Sequence, residues 1–181
     1  MSFDLSSDYF SLFGLPVSYS IDGEVLTQKY RELQQVVHPD RFANASEKER
    51  RLSLQYTTYL NEAIRVLKDP LTRARYLLEL KGIKWDDEQS TLSDPVFLMQ
   101  QMELRESLSE VREQSDPFAA VADIIAKVTA IIRSNTLELE ALLQSDNQDD
   151  WMVAKNQVRK MQFLNKMISE AEALEAELED S

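Results

Sequence analysis

Five prolines, at positions 16, 39, 70, 95 and 117, divide this chain, and in the long stretches around them apolar residues recur three or four positions apart. That spacing is one face of an α-helix. Proline inside a helix removes a hydrogen bond and clashes with the preceding turn, so it belongs at the breaks. Three of the prolines follow aspartate, in Asp69-Pro70, Asp94-Pro95 and Asp116-Pro117. An Asp side chain caps the free N–H groups of a first turn, and proline at the next position gives up no helical bond. All three pairs are predicted to start helices.

The pattern resolves into seven helical segments. A short one runs from about Asp8 to Phe13 and stops at Gly14. Leu26, Tyr30, Leu33 and Val37 share one face of a helix from about Asp22 to Val37, and Leu52, Tyr56, Tyr59, Ala63 and Val66 do so between Ser46 and Lys68. Pro70 to Lys81 follows, with Gly82 as its stop. Beyond the polar stretch Gly82–Ser93 come Pro95–Gln114, Pro117–Gln144 and a last helix from Asp150 to Leu178, with Asp149-Asp150 as its N-cap. No stretch alternates as a strand does. The expectation is an all-α chain. One helical domain spans residues 1–82, a linker 83–93, and an antiparallel three-helix bundle 94–181. Trp85 is expected to pack near the junction and Trp151 to anchor the last helix.

Composition removes most chemistry. There is no cysteine and a single histidine, which excludes disulfides, thiolate metal sites and cysteine nucleophiles. A single histidine argues against a hydrolase triad, and no Glu-x-x-His pair is present for a di-metal site. No glycine-rich phosphate loop occurs. No catalytic, cofactor-binding or metal-binding residue is therefore expected. The net charge of −12 argues against nucleic acid as a partner. It is unevenly placed: residues 1–84 carry 12 Lys and Arg against 11 Asp and Glu, and residues 85–181 carry 8 against 21. Two units with different partners fit that asymmetry. No membrane span, secretory signal or transit peptide is visible, and a cytoplasmic location is expected.

The one histidine opens the tripeptide His38-Pro39-Asp40. Pro39 biases His38 away from helical backbone and ends the helix before it. The next helix begins only near Ser46, so the tripeptide should lie at the exposed tip of a helical hairpin. Arg41 follows it, and Lys29 and Arg31 precede it on the helix. A second feature lies on the helix after Pro95. Phe97, Leu104, Leu108 and Val111 make an ordinary core stripe, but Leu98, Met99 and Met102 point the other way, among Glu103, Glu106 and Glu110. A bundle helix needs one apolar face. The second packs against the first domain or docks a partner. Phe163 sits at the edge of the last helix's stripe of Met161, Leu164, Ile168 and Ala171, as core or as part of that face.

The segments DYFSLFGLP, HPDRF, LNEAIRVLKDPLTRARYLLELKG, FLMQQMELRESL and VRKMQFLNKM, in this order, resemble the HscB family of J-type co-chaperones of iron–sulfur cluster assembly along nearly the whole chain. The resemblance implies a J domain followed by a helical bundle. It implies a specialised chaperone ATPase, HscA, as one partner and the scaffold protein IscU as the other. His38, Pro39 and Asp40 would engage the ATPase, with Lys29, Arg31 and Arg41 adding charge; the family often has lysine in place of Arg41. Leu98, Met99, Met102, Glu103, Glu106, Glu110 and Phe163 would bind the scaffold; Met102 stands where leucine is frequent. Without the cysteine-bearing extension of many eukaryotic relatives, the chain resembles the bacterial type. The alternatives are a J-domain co-chaperone for another client and a purely structural helical adaptor.

Overall fold

The computed structural model describes residues 7–42, 45–85 and 94–180. Every long element among them is a helix. In order they are α1 (Tyr9–Leu12), α2 (Gly23–Val37), α3 (Glu47–Lys68), α4 (Pro70–Leu80), α5 (Pro95–Ser109), α6 (Pro117–Gln144) and α7 (Gln148–Glu179). Short 3-10 turns follow α2 at Pro39–Phe42 and α5 at Val111–Glu113.

The starts are written in the local sequence. Asp69 accepts a hydrogen bond from the Thr72 amide at 2.7 Å, Asp94 from Val96 and Phe97, and Asp116 from Ala119, so all three Asp-Pro pairs begin helices. Asp22 caps α2, and Ser46 with Glu49 forms a reciprocal capping box on α3. Gly14, at φ +63°, ends α1 in the left-handed region that glycine adopts without penalty.

The chain divides into two compact units, Met1–Leu80 and Lys81–Ser181. In the first, α2 and α3 form an antiparallel hairpin: Tyr30 reaches Asn61 at 2.9 Å, while Val37, seven residues on, meets Ser53 at 2.6 Å. Phe10, Leu26, Val37, Leu60, Leu67 and Leu78 fill its core. Tyr9 stacks on Tyr76 with ring centroids 4.5 Å apart, which ties α1 to α4. The buried line of α3 is Ser53, Tyr56, Leu60, Ala63 and Leu67; Leu52, Tyr59 and Val66 of the expected stripe are half-buried on its flanks. The helix packs against α2, α1 and α4 together, so its buried face is wider than one stripe.

The second unit is an up-down-up three-helix bundle. Asp94 pairs with Lys160 and Arg112 with Glu177, so α5 runs parallel to α7. Gln157 bonds Glu138 across the antiparallel pair α6 and α7. Phe97, Leu104, Val111, Val121, Ile124, Val128, Leu164 and Met167 make the core where all three helices meet. At 28 residues α6 is about 42 Å long, and the 15 residues of α5 cover only about 22 Å of it.

Three expectations are adjusted. α5 ends at Ser109 rather than Gln114, because the chain tightens into the 3-10 turn that drives Val111 fully into the core. α7 begins at Gln148, capped by Asn147 and not by Asp149-Asp150; Asp150 instead accepts from the Ser145 hydroxyl. The division by compactness falls after Leu80, not Gly82. Lys81 lies over the Trp151 ring and donates to the Ser145 carbonyl, and Lys155 donates to the Lys84 carbonyl at 2.7 Å. These contacts, with Trp85 beside Lys155 and Arg159, join residues 81–85 to the end of the α6–α7 hairpin. Trp151 anchors α7 as expected, its indole donating to the Ser145 carbonyl. Residues 86–93 of the expected linker lie outside the described residues.

Candidate functional site

Two surfaces carry the candidate residues. The first is the tip of the α2–α3 hairpin. His38 has extended backbone, φ −55° and ψ 129°, because Pro39 excludes helical geometry before it. Its carbonyl accepts from the Arg41 amide, which closes the 3-10 turn. The His38 Nδ1 lies 3.3 Å from the Asp40 amide and 3.5 Å from the Asp40 carboxylate. In the neutral ring Nδ1 accepts from that amide, which leaves Nε2–H as an outward donor. The Asp40 side chain is 90% exposed, an acceptor in water. A donor and an anion are thus held side by side on a short rigid turn.

The base of this turn is anchored. The Val37 carbonyl accepts from the buried Ser53 hydroxyl at 2.6 Å and from Thr57 at 3.3 Å, both on α3. Arg41 donates to the Gln35 carbonyl at 3.0 Å, capping the end of α2 with a cation where the helix dipole favours one. Ser53 and Thr57 carried no signal in the motif; the only clue was a serine within the apolar period of α3.

The basic residues do not all face the same way. Arg31 and His38 are seven positions apart, within about 20° around the helix, so they share a face. Arg31 lines a groove with Gly23, Thr27 and Gln35, and Gln35 continues it to His38 and Arg41. Lys29 sits about 160° from Arg31 and pairs with Glu32 at 3.4 Å. A hydrogen bond from Gln28, and then the nearby Lys29 charge, hold the Glu32 carboxyl below its ordinary value. Arg50 and Arg51 on the first turns of α3, not singled out from the sequence, line a second groove with Pro39, Asp40 and Leu54.

The second surface is the outer side of α5. Leu98, Met99 and Met102 are 39%, 63% and 71% exposed, opposite the buried Phe97 and Leu104. Glu103, Glu106 and Glu110 are exposed beside them, Glu110 at the C-cap of the helix. Phe163 of α7 is half-buried at the rim of the core. Its ring meets Phe97 edge-on at 5.8 Å, and the Arg105 guanidinium lies 5.6 Å from its centroid. Phe163 therefore packs against the bundle core, with Arg105 of α5 beside its ring. The start of α5 is locked by Asp94, whose second carboxylate oxygen takes the Lys160 ammonium at 2.6 Å. That hydrogen bond, with the Phe97 amide, lowers the Asp94 carboxyl below its ordinary value.

Among the described residues no group of His, Asp and Glu is placed to hold a metal ion, and no helix is long and apolar enough to cross a membrane. A helical hairpin with His-Pro-Asp at its tip, followed by a three-helix bundle, defines the class of J-type co-chaperones. Comparison with known proteins narrows the class. The HSCB C-terminal oligomerisation domain matches residues 93–172. The co-chaperone protein HscB homologue of Vibrio cholerae is 46% identical over 171 residues, 94% of this chain and 98% of its own length. That of Shewanella halifaxensis is 45% identical over 173 residues, 96% and 99%. Among solved structures, chaperone HscB from Vibrio cholerae superposes with a TM-score of 0.85 at 43% identity, over 95% of this chain and 99% of that one. Human co-chaperone HscB gives 0.86 at 32%, over 96% and 84%. The chain belongs to the HscB co-chaperone family.

Proposed function

We propose that this protein stimulates the ATPase of an HscA-type chaperone and delivers an IscU-type scaffold protein to it during iron–sulfur cluster assembly. The observation that carries the proposal is the hairpin tip: His38 and Asp40 present a donor and a carboxylate to solvent while Ser53 and Thr57 fix the turn beneath them. The first unit is the J domain, and His38, Pro39 and Asp40 engage the chaperone. Arg31 and Arg41 flank them on one face and add positive charge. Lys29 acts from the far side of α2, as a weaker long-range attraction. None of these residues does chemistry; the chaperone supplies the nucleotide site, and the protein is not itself an enzyme.

The outer side of α5 receives the scaffold. Leu98, Met99 and Met102 are the apolar anchors, Phe163 closes one edge, and Glu103, Glu106 and Glu110 form an acidic rim that selects a basic partner surface. The cytoplasm is the compartment that goes with this reading. The test is chaperone ATPase turnover with the protein added, with and without scaffold. Stimulation by wild type that vanishes with His38→Gln is the expected result; equal stimulation by the two would reject the proposal.

A further inference from the structure

The sequence holds six methionines, and the fold treats them unequally. Met161 and Met167 are 3% and 1% exposed, inside the bundle. Met99 and Met102 are 63% and 71% exposed, three residues apart on the outer side of α5. Met152 is 44% exposed on α7. Met99 and Met102 therefore offer the most open thioethers among the described residues. They are also two of the three apolar anchors of the scaffold-docking face. A leucine, frequent at the position of Met102 in the family this chain resembles, would be inert to peroxide.

We propose that Met99 and Met102 are oxidation sites through which a peroxide switches off scaffold docking. This rests on the reading of α5 as the docking face. A sulfur lone pair attacks one oxygen of hydrogen peroxide; the S–O bond forms as the O–O bond breaks. The sulfur loses two electrons to the peroxide, and the departing hydroxide takes the proton of the transferred oxygen and leaves as water. The product sulfoxide is polar, and its oxygen only accepts hydrogen bonds. Its i,i+4 neighbours Glu103 and Glu106 are acceptors too, and the donor three residues beyond Met102, Arg105, lies 5.6 Å from the Phe163 ring centroid. Burying that oxygen under a partner shaped for a thioether leaves a polar group without a partner, which costs at least about tenfold in affinity. Methionine sulfoxide reductases restore the thioether, so the change is reversible.

The experiment treats the full chain with graded hydrogen peroxide, maps sulfoxides by peptide mass spectrometry, and titrates each sample with purified IscU-type scaffold. Met99 and Met102 are expected to oxidise before Met161 and Met167. The scaffold Kd should then rise at least about tenfold, with an unchanged circular dichroism melting curve, and reductase treatment should restore it. Each variant is judged by the ratio of its own oxidised to reduced affinity. Met99→Leu/Met102→Leu should give a ratio near one whatever its starting affinity, and Met152→Leu should behave as wild type in both states. Oxidised wild type that binds as well as reduced, or a double variant that still loses binding on oxidation, overturns the switch and leaves the docking face standing. Reduced wild type that binds no scaffold overturns the docking face, and the switch with it.

Discussion

At the scale of single residues, His38 and Asp40 owe their position to groups that never touch a partner. The Ser53 hydroxyl and Val37 carbonyl make a buried hydrogen bond under the turn. Ser53→Ala should lower stability by about 1–2 kcal/mol, read by urea denaturation, because the carbonyl keeps only the longer bond from Thr57. His38→Gln sits on an exposed tip and should change stability by under about 0.5 kcal/mol in the same assay while abolishing ATPase stimulation. Loss of fold in His38→Gln would mean that the turn, not the ring, is what matters. The tripeptide was legible in the sequence because proline dictates the backbone on both sides of it. Its anchor was not, since Ser53 acts through a contact sixteen residues away. The outlying place of Lys29 follows from helical angle alone and was there to be read.

At the scale of elements, α5 holds its outer face by a short seam. Asp94 caps the helix and pairs with Lys160, and the folded protein lowers its carboxyl below the ordinary value near 3.8. The sign follows: a depressed carboxylate stabilises the fold above its unfolded value, and that stability is lost as pH falls through the folded one. The stability difference between wild type and Asp94→Ala should be constant from about pH 5 to 8 and shrink below about pH 3.8, followed by denaturant midpoints against pH. A difference that grows on acidification would contradict the pairing. Leu98→Ala/Met99→Ala/Met102→Ala should lose scaffold binding with its denaturation midpoint unchanged. A loss of roughly 2–5 kcal/mol of stability for Leu98→Ala would mark these residues as packing instead. The helix starts were readable because an Asp-Pro cap is local. The end of α5 was not: no glycine or proline stands at Ser109, and the helix stops because Val111 is drawn into the core. Asn147 took the cap of α7 because it lies one residue before the helix, with its side chain on the Asp149 amide.

At the scale of the whole molecule, the acidic excess of the sequence falls in the second unit, residues 81–181, where 10 Lys and Arg stand against 21 Asp and Glu. Where one ends was not legible, because residues 81–85 choose their side through contacts with Ser145, Trp151 and Lys155, more than sixty positions away. The acidic rim should act mainly on encounter. Glu103→Gln/Glu106→Gln/Glu110→Gln should slow scaffold association and flatten its salt dependence, seen by stopped-flow, with a smaller effect on dissociation. In the proposed function the chain couples an ATPase-stimulating tip to a scaffold-docking helix. The most direct measurement is steady-state ATPase of the HscA-type chaperone against a titration of this protein, alone and with saturating scaffold, for wild type, His38→Gln and the α5 triple alanine. Wild type should stimulate alone and stimulate further with scaffold; the triple alanine should keep the first effect and lose the second; His38→Gln should lose both. Scaffold-dependent stimulation that survives in the triple alanine, or any stimulation by His38→Gln equal to wild type, would contradict it.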